Sequence, residues 1–169
     1  MKGTVNRYDL YALWDATRRL LGGFQMDGIK RLFGYIHVIL GLLVAAQFVL
    51  SEVYDDDAVI QVWDILNYFM AVGAIAALVF SFLRAKSADK SDLQEWISAS
   101  AMLIASAALF LLYFEQWFAW TVFKDAADEI GDFRSLIWTA VDVIFPIVNV
   151  IVGSYLLRSV GMSPGASTE

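Results

Sequence analysis

Four long apolar stretches constrain this chain more than any other feature of its sequence. They cover residues 32–53, 59–83, 96–123 and 136–157, and short segments rich in charged residues separate them. A helix needs about 20 residues to cross the hydrocarbon core of a bilayer. Because no water inside the bilayer can satisfy backbone polar groups, each stretch must close its own hydrogen bonds as a helix. The sequence predicts an all-α integral membrane protein, a four-helix bundle with up-down-up-down topology set by its short loops.

The segment before the first stretch is more polar. Apolar residues recur there at helical spacing, opposite charged residues such as Asp15 and Arg18. This pattern predicts an amphipathic helix that lies in the membrane interface or docks on a partner protein, and that ends at Gly22 and Gly23. The predicted division is a cytoplasmic N-terminal segment over 1–30, the four-helix bundle over 31–158 and a cytoplasmic tail over 159–169.

Charged and aromatic residues predict the orientation. Of the twelve lysines and arginines, only Lys124 and Arg134 fall on the side away from the termini. Basic residues are retained on the cytoplasmic side of membrane proteins. Aromatic residues gather at the opposite ends of the stretches, as in an aromatic belt; they are Tyr54, Trp63, Trp117, Trp120 and Trp138. These patterns predict a multi-pass protein of the inner cell membrane with both termini in the cytoplasm.

Small and helix-bending residues mark the predicted packing faces of the four helices. In lipid, helices associate through close approach and polar contacts more than through hydrophobicity. The predicted packing residues are Gly34, Gly41, Gly73, Ala101, Ala105, Pro146, Asn149 and Gly153. Such spacing is common within a bundle, and it also suits a dimer or a contact with another subunit.

Three carboxyl groups fall inside the apolar stretches. Asp64, Glu115 and Asp142 each lie roughly 8–10 Å from the outer end of their predicted helix at 1.5 Å per residue. Pro146 has no N–H to offer the carbonyl group of Asp142, four residues earlier. One interpretation is a proton or cation site. The other is a hydrated layer near the outer interface, or one that meets basic residues of a partner.

His37 is the single histidine of the chain and lies nearer the cytoplasmic end of the first stretch. A haem held by two histidines within this chain is therefore excluded. A hydrogen bond to a neighbouring helix is the favoured role. Contact with a lipid, quinone or pigment at a subunit boundary is the alternative, and no cofactor of the chain's own is predicted.

The sequence carries few signs of chemistry. It has no cysteine, no phosphate-binding glycine loop and no histidine-rich metal motif, so we expect neither a metal site nor enzymatic activity. Its basic residues are explained by anionic lipid, so no nucleic-acid partner is expected.

The leading functional hypothesis is a non-catalytic accessory subunit that contacts lipid and a larger integral membrane partner, in a transport or in a respiratory or oxidative complex. One alternative is the small membrane subunit of a tripartite binding-protein-dependent transporter, on architecture alone. Another is an oligomeric proton or cation pathway through the carboxylate layer.

Overall fold

A computed structural model describes the backbone over residues 7–122 and 131–160 and the side chains over 27–119 and 135–160. The described chain is built from α1 (Arg7–Leu50), α2 (Asp56–Ser87), α3 (Leu93–Val122) and α4 (Gly131–Val160). All four are long and apolar enough to cross a membrane. The predicted all-α four-helix bundle is confirmed, and the chain is a multi-pass membrane protein.

The first helix differs from the prediction at its N-terminal end. We expected a separate helix to end at Gly22 and Gly23, but α1 continues without a break through both glycines. The expected break is wrong because a glycine inside a helix costs only about 1 kcal/mol relative to alanine, and good helix formers flank the pair. The predicted amphipathic side chains of 7–26 lie outside the described residues, as do Trp120, Lys124, Arg134 and the tail from 161 onwards.

A residue of the loop after α2 caps the first turn of α3. Asp92 directly precedes α3 and is its capping residue. Its Oδ1 accepts the backbone N–H groups of Gln94 at 3.0 Å and Glu95 at 3.2 Å. A carboxylate is the better partner here because it also meets the positive end of the helix dipole. Ser91 instead donates its N–H and its hydroxyl to Oδ1 of Asp89, both at 2.8 Å.

Neighbouring helices run antiparallel, and α4 packs against each of the other three. α1 lies far more extensively against α4 than against α2. Two glycines explain this preference: a Cβ atom on Gly153 would lie 2.6 Å from the carbonyl oxygen of Gly34, so the two backbones approach closely. The consequence is a tight α1–α4 pair and a thin contact between α1 and α2.

A continuous apolar core fills the centre of the bundle. Its fully buried members include Val44, Met70, Leu109 and Phe145, one from each helix. Aromatic rings extend this core toward the end of the bundle that holds the α1–α2 loop. Tyr113 packs there against Trp138, with ring centroids 6.2 Å apart. Trp63, Trp117 and Trp138, three of the predicted outer tryptophans, therefore contact the core cluster.

Candidate functional site

The most unusual group in the bundle is a buried polar pair between α1 and α4. Nδ1 of His37 lies 2.6 Å from Oδ1 of Asn149. His37 is 1% exposed and Asn149 is fully buried. The favoured sequence interpretation, a histidine bonded to a neighbouring helix, is confirmed. The partner is one of the predicted packing residues of α4.

The hydrogen bonds of Asn149 determine which nitrogen of His37 carries the proton. The amide nitrogen of Asn149 donates to the carbonyl oxygen of Phe145 at 3.0 Å, which leaves Oδ1 as the acceptor. An oxygen acceptor requires a donor, so the proton lies on Nδ1. In the neutral imidazole Nε2 is then a bare acceptor. It is buried, and no described residue donates a hydrogen bond to it.

A groove opens on the bundle surface beside this pair. It has a volume of about 490 Å³ and is lined by apolar side chains of α1 and α2 together with His37. The wall contributed by α1 runs from Phe33 to Leu43, and the wall contributed by α2 runs from Ile65 to Ala76. The groove exists because α1 packs on α4 and leaves only a thin contact with α2. In the bilayer it faces lipid hydrocarbon.

Gly73 forms the floor of the groove at the polar pair. A Cβ atom there would lie 2.7 Å from Cδ2 of Leu40 and 3.4 Å from Oδ1 of Asn149. Phe80 lies on the other side of the imidazole, edge to face at 6.0 Å between ring centroids. The His37 ring is therefore held in place by one hydrogen bond and by apolar contacts from two helices.

The structure does not bring the three predicted carboxyl groups together. Asp64 and Glu115 are exposed on α2 and α3, and Asp142 is half-buried on α4. Glu115 accepts a hydrogen bond of 2.5 Å from the Gln116 amide beside it. Among the described residues, no cluster of three or more acidic or histidine side chains could hold a metal ion.

Other polar groups toward the same end of the bundle form separate pairs. Gln47 accepts the hydroxyl of Tyr54 at 2.6 Å. The carbonyl oxygen of Asn67 accepts the hydroxyl of Tyr113 at 2.5 Å. Each of these hydrogen bonds joins only two residues. The polar groups therefore form separate local contacts and not one network.

The predicted packing residues divide into two groups. Gly34, Gly41, Gly73 and Gly153 lie at close helix contacts, and the carbonyl oxygen of Pro146 lies against Gly41. Ala101 and Ala105 do not lie at a close helix contact, because both are exposed on α3. They do not pack inside this chain, because α3 turns Ala99, Met102 and Ser106 inward. Their contact with a second copy or with another subunit stays a prediction.

One contact that the sequence did not suggest joins three helices at the end opposite Tyr54. Arg84 of α2 donates to Oγ of Ser98 on α3 at 2.9 Å. Its guanidinium also lies 4.2 Å from the centroid of the Tyr155 ring on α4. In the sequence Arg84 is only one of the basic residues that flank the apolar stretches, so the sequence gives little indication of this contact between helices.

Comparison with protein-family models, with curated proteins and with solved structures found no match to this chain.

Proposed function

We propose that this protein is a non-catalytic subunit of a larger inner-membrane complex and that it binds an integral membrane partner through the outward face of α3. The observation that carries the proposal is an exposed stripe of small residues on that face. Ser98, Ala101, Ala105 and Ala108 follow one another at steps of three and four residues, and all are exposed. A stripe with this period is the seam along which a second helix packs, and small side chains permit the close approach that stabilises helix pairs in lipid.

The continuation of the stripe supports a protein partner over lipid. Continuing the same steps leads through Leu112 to Glu115, which is exposed. A carboxylate facing hydrocarbon is costly, and the only hydrogen bond described for Glu115 comes from its neighbour Gln116. A partner helix that offers a basic or hydroxyl side chain near its outer end would satisfy this group.

A second stripe of α3 has the opposite character and suits lipid. Ile97, Ile104, Leu111 and Phe118 recur every seven residues and are 52%, 69%, 66% and 61% exposed. Large flexible apolar side chains resemble the lipid tails that they meet. Ala101 and Ala108 each lie within one turn of Ile104, so the two stripes adjoin on one exposed face of α3. The small-residue edge of this face is assigned to the partner, and the bulky edge is assigned to lipid.

The proposal includes the predicted location in the inner membrane with both termini in the cytoplasm, which the distribution of basic residues supports. A transporter assembly and a respiratory or oxidative enzyme are equally compatible as the larger complex. The tripartite-transporter alternative is one case of this proposal. The ion-pathway alternative lacks a comparable observation, since no three acidic or histidine side chains of the described residues form a group that could hold a metal ion.

Purification of stripe variants from the native membrane in mild detergent tests the proposal. We expect Ala101→Leu and Ala105→Leu to reduce the amount of partner that copurifies, because a larger side chain holds the second helix away. Ala46→Leu is the matched control, since Ala46 is an exposed alanine of α1 outside the stripe. Copurified protein is identified and quantified by mass spectrometry, and helical content by circular dichroism shows that each variant is folded.

Two results would contradict the proposal. One is a partner that stays bound to both stripe variants in normal amount. The other is wild-type protein that leaves the native membrane alone or only with copies of itself.

A further inference from the structure

The groove between α1 and α2 has the size and the position of a binding site for a small membrane-soluble molecule. Its volume of about 490 Å³ lies within the range of ligand pockets in proteins. Its open side is apolar, with Ile65, Phe69 and Val72 each about 60% exposed. No described charged side chain lines it. A neutral ligand is therefore favoured over a charged one.

His37 supplies the polar group of the site. Nδ1 is committed to Asn149, and Nε2 is left buried with no donor among the described residues. An unpaired polar atom in a protein interior is costly, and inside a bilayer no bulk water is present to relieve it. A ligand that donates a hydrogen bond to Nε2 would remove this cost. Nε2 is covered in this structure, so the groove has to open toward it when the ligand binds.

The depth of His37 excludes the head group of a phospholipid. His37 lies six residues, or about 9 Å, further into the membrane than the charged Arg31 on the same helix. Phospholipid head groups lie near the level of such flanking charges. The donor must therefore belong to a molecule that dissolves entirely in the hydrocarbon. Phe33 and Phe69 in the groove, and Phe80 beside the imidazole, suit a flat ring.

We propose that the groove between α1 and α2 binds a neutral, membrane-soluble ring compound whose hydroxyl group donates a hydrogen bond to Nε2 of His37. Hydroquinones and sterols share this chemistry. A quinone does not, because its carbonyl oxygens accept hydrogen bonds and Nε2 accepts as well. The bond from Nδ1 to Asn149 thus gives the site a preference for the reduced form of a quinone. This inference does not depend on the proposed subunit role.

Binding to the purified protein in lipid nanodiscs tests the proposal. The probes are a decyl-substituted benzohydroquinone, the matching benzoquinone, the dimethyl ether of the hydroquinone, which has no hydroxyl donor, and a sterol. We expect the hydroquinone to bind about tenfold more tightly than the ether or the quinone, as one additional hydrogen bond predicts. A sterol that displaces the hydroquinone identifies a sterol-type alcohol as a natural source, and one that does not displace it favours a hydroquinone.

Variants test whether the preference for the hydroquinone depends on His37 and whether the probes bind in the groove. His37→Leu should abolish the preference for the hydroquinone and leave the affinity for the ether unchanged. Asn149→Leu frees Nδ1 and lets the imidazole proton move, so the discrimination between hydroquinone and quinone should fall. Ala76→Phe should weaken all probes by filling the groove, whereas Ala46→Phe, at an exposed alanine outside the groove, should weaken none.

Three outcomes would overturn the proposal. The first is equal affinity for the hydroquinone and its ether. The second is a hydroquinone preference that persists in folded His37→Leu protein. The third is a visible absorption band of a tetrapyrrole in protein purified from its native membrane, lost in His37→Leu, because Nε2 would then bind a metal instead of accepting a hydroxyl proton.

Discussion

Replacement of Gly153 by alanine tests whether the α1–α4 pair depends on close approach of the two backbones. The new Cβ atom would lie 2.6 Å from the carbonyl oxygen of Gly34, 2.8 Å from Cγ2 of Val38 and 3.0 Å from Cβ of His37. A carbon atom normally stays about 3.3 Å or more from a carbonyl oxygen. Because the nearest atom belongs to the backbone and cannot rotate away, the two helices must separate by about 0.7 Å, the difference between those distances.

The expected effect is a loss of stability. Forcing one extra methyl group into a packed contact typically costs about 1–3 kcal/mol, whereas alanine is favoured over glycine in a helix by up to about 1 kcal/mol. Gly28→Ala is the matched control, because a Cβ atom on Gly28 meets nothing within 4 Å. The propensity gain is common to both variants, so Gly153→Ala should be less stable than Gly28→Ala by about 1–3 kcal/mol.

Titration of the protein from mild detergent into SDS, followed by circular dichroism, measures the free energy of unfolding. The separation of α1 and α4 should also weaken the bond between His37 and Asn149, since Asn149 lies one helical turn from Gly153. Equal unfolding free energies for Gly153→Ala and Gly28→Ala would refute the argument from backbone approach.

Two further predictions concern hydrogen bonds. A double-mutant cycle with His37→Leu and Asn149→Leu in the same titration should give a coupling energy of about 1 kcal/mol, as for other hydrogen bonds between membrane helices; strictly additive single effects would contradict the bond. In the loop between α2 and α3, hydrogen bonds from Ser91 hold the pKa of Asp89 below its usual value. The bond from the Ser91 N–H has the larger effect, and the bond from its hydroxyl has the smaller one. The stabilisation of the folded state that results from this lowered pKa is present above the usual aspartate pKa. It is lost as the pH falls through the lower pKa of the folded state. Ser91→Ala removes only the hydroxyl, so NMR titration should show the Asp89 pKa rising part of the way, and an unchanged value would count against it.

The membrane spans could be predicted from the sequence because hydrocarbon imposes a simple requirement on each stretch. Any segment of about 20 apolar residues has to become a helix there, whatever its neighbours are. The glycine contacts were also accessible, since Gly34 and Gly153 have no side chain to keep a second backbone away. These features depend on local sequence and on helix length.

The rotation of each helix about its own axis could not be predicted in the same way. The depth of Asp64, Glu115 and Asp142 follows from the sequence, but the direction in which each points depends on contacts with other helices. In the structure Asp64 and Glu115 are exposed, whereas Asp142 is half-buried. The spacing of Ala101 and Ala105 suits a helix contact, but it does not say whether that contact lies within the bundle or with another subunit.

The pairing of His37 with Asn149 could be predicted from the sequence only in part. The residue types made a hydrogen bond between helices the favoured interpretation of His37, but the partner is 112 positions away in the chain. The free Nε2 could not be foreseen, because it follows from the amide orientation of Asn149 and from the thin α1–α2 contact that opens the groove.

The central position of α4 has a consequence for biosynthesis. Chains are made from the N-terminus, and helices insert before they associate. α2 and α3 can pair as soon as both have emerged from the ribosome, but α1 has its main contact with α4, the last of the four to be made. Until then Gly34 and His37 lack their α4 partners, and most of the packing face of the newborn α1 stays exposed to lipid or to a chaperone. Completion of α4 is therefore the event that closes this bundle.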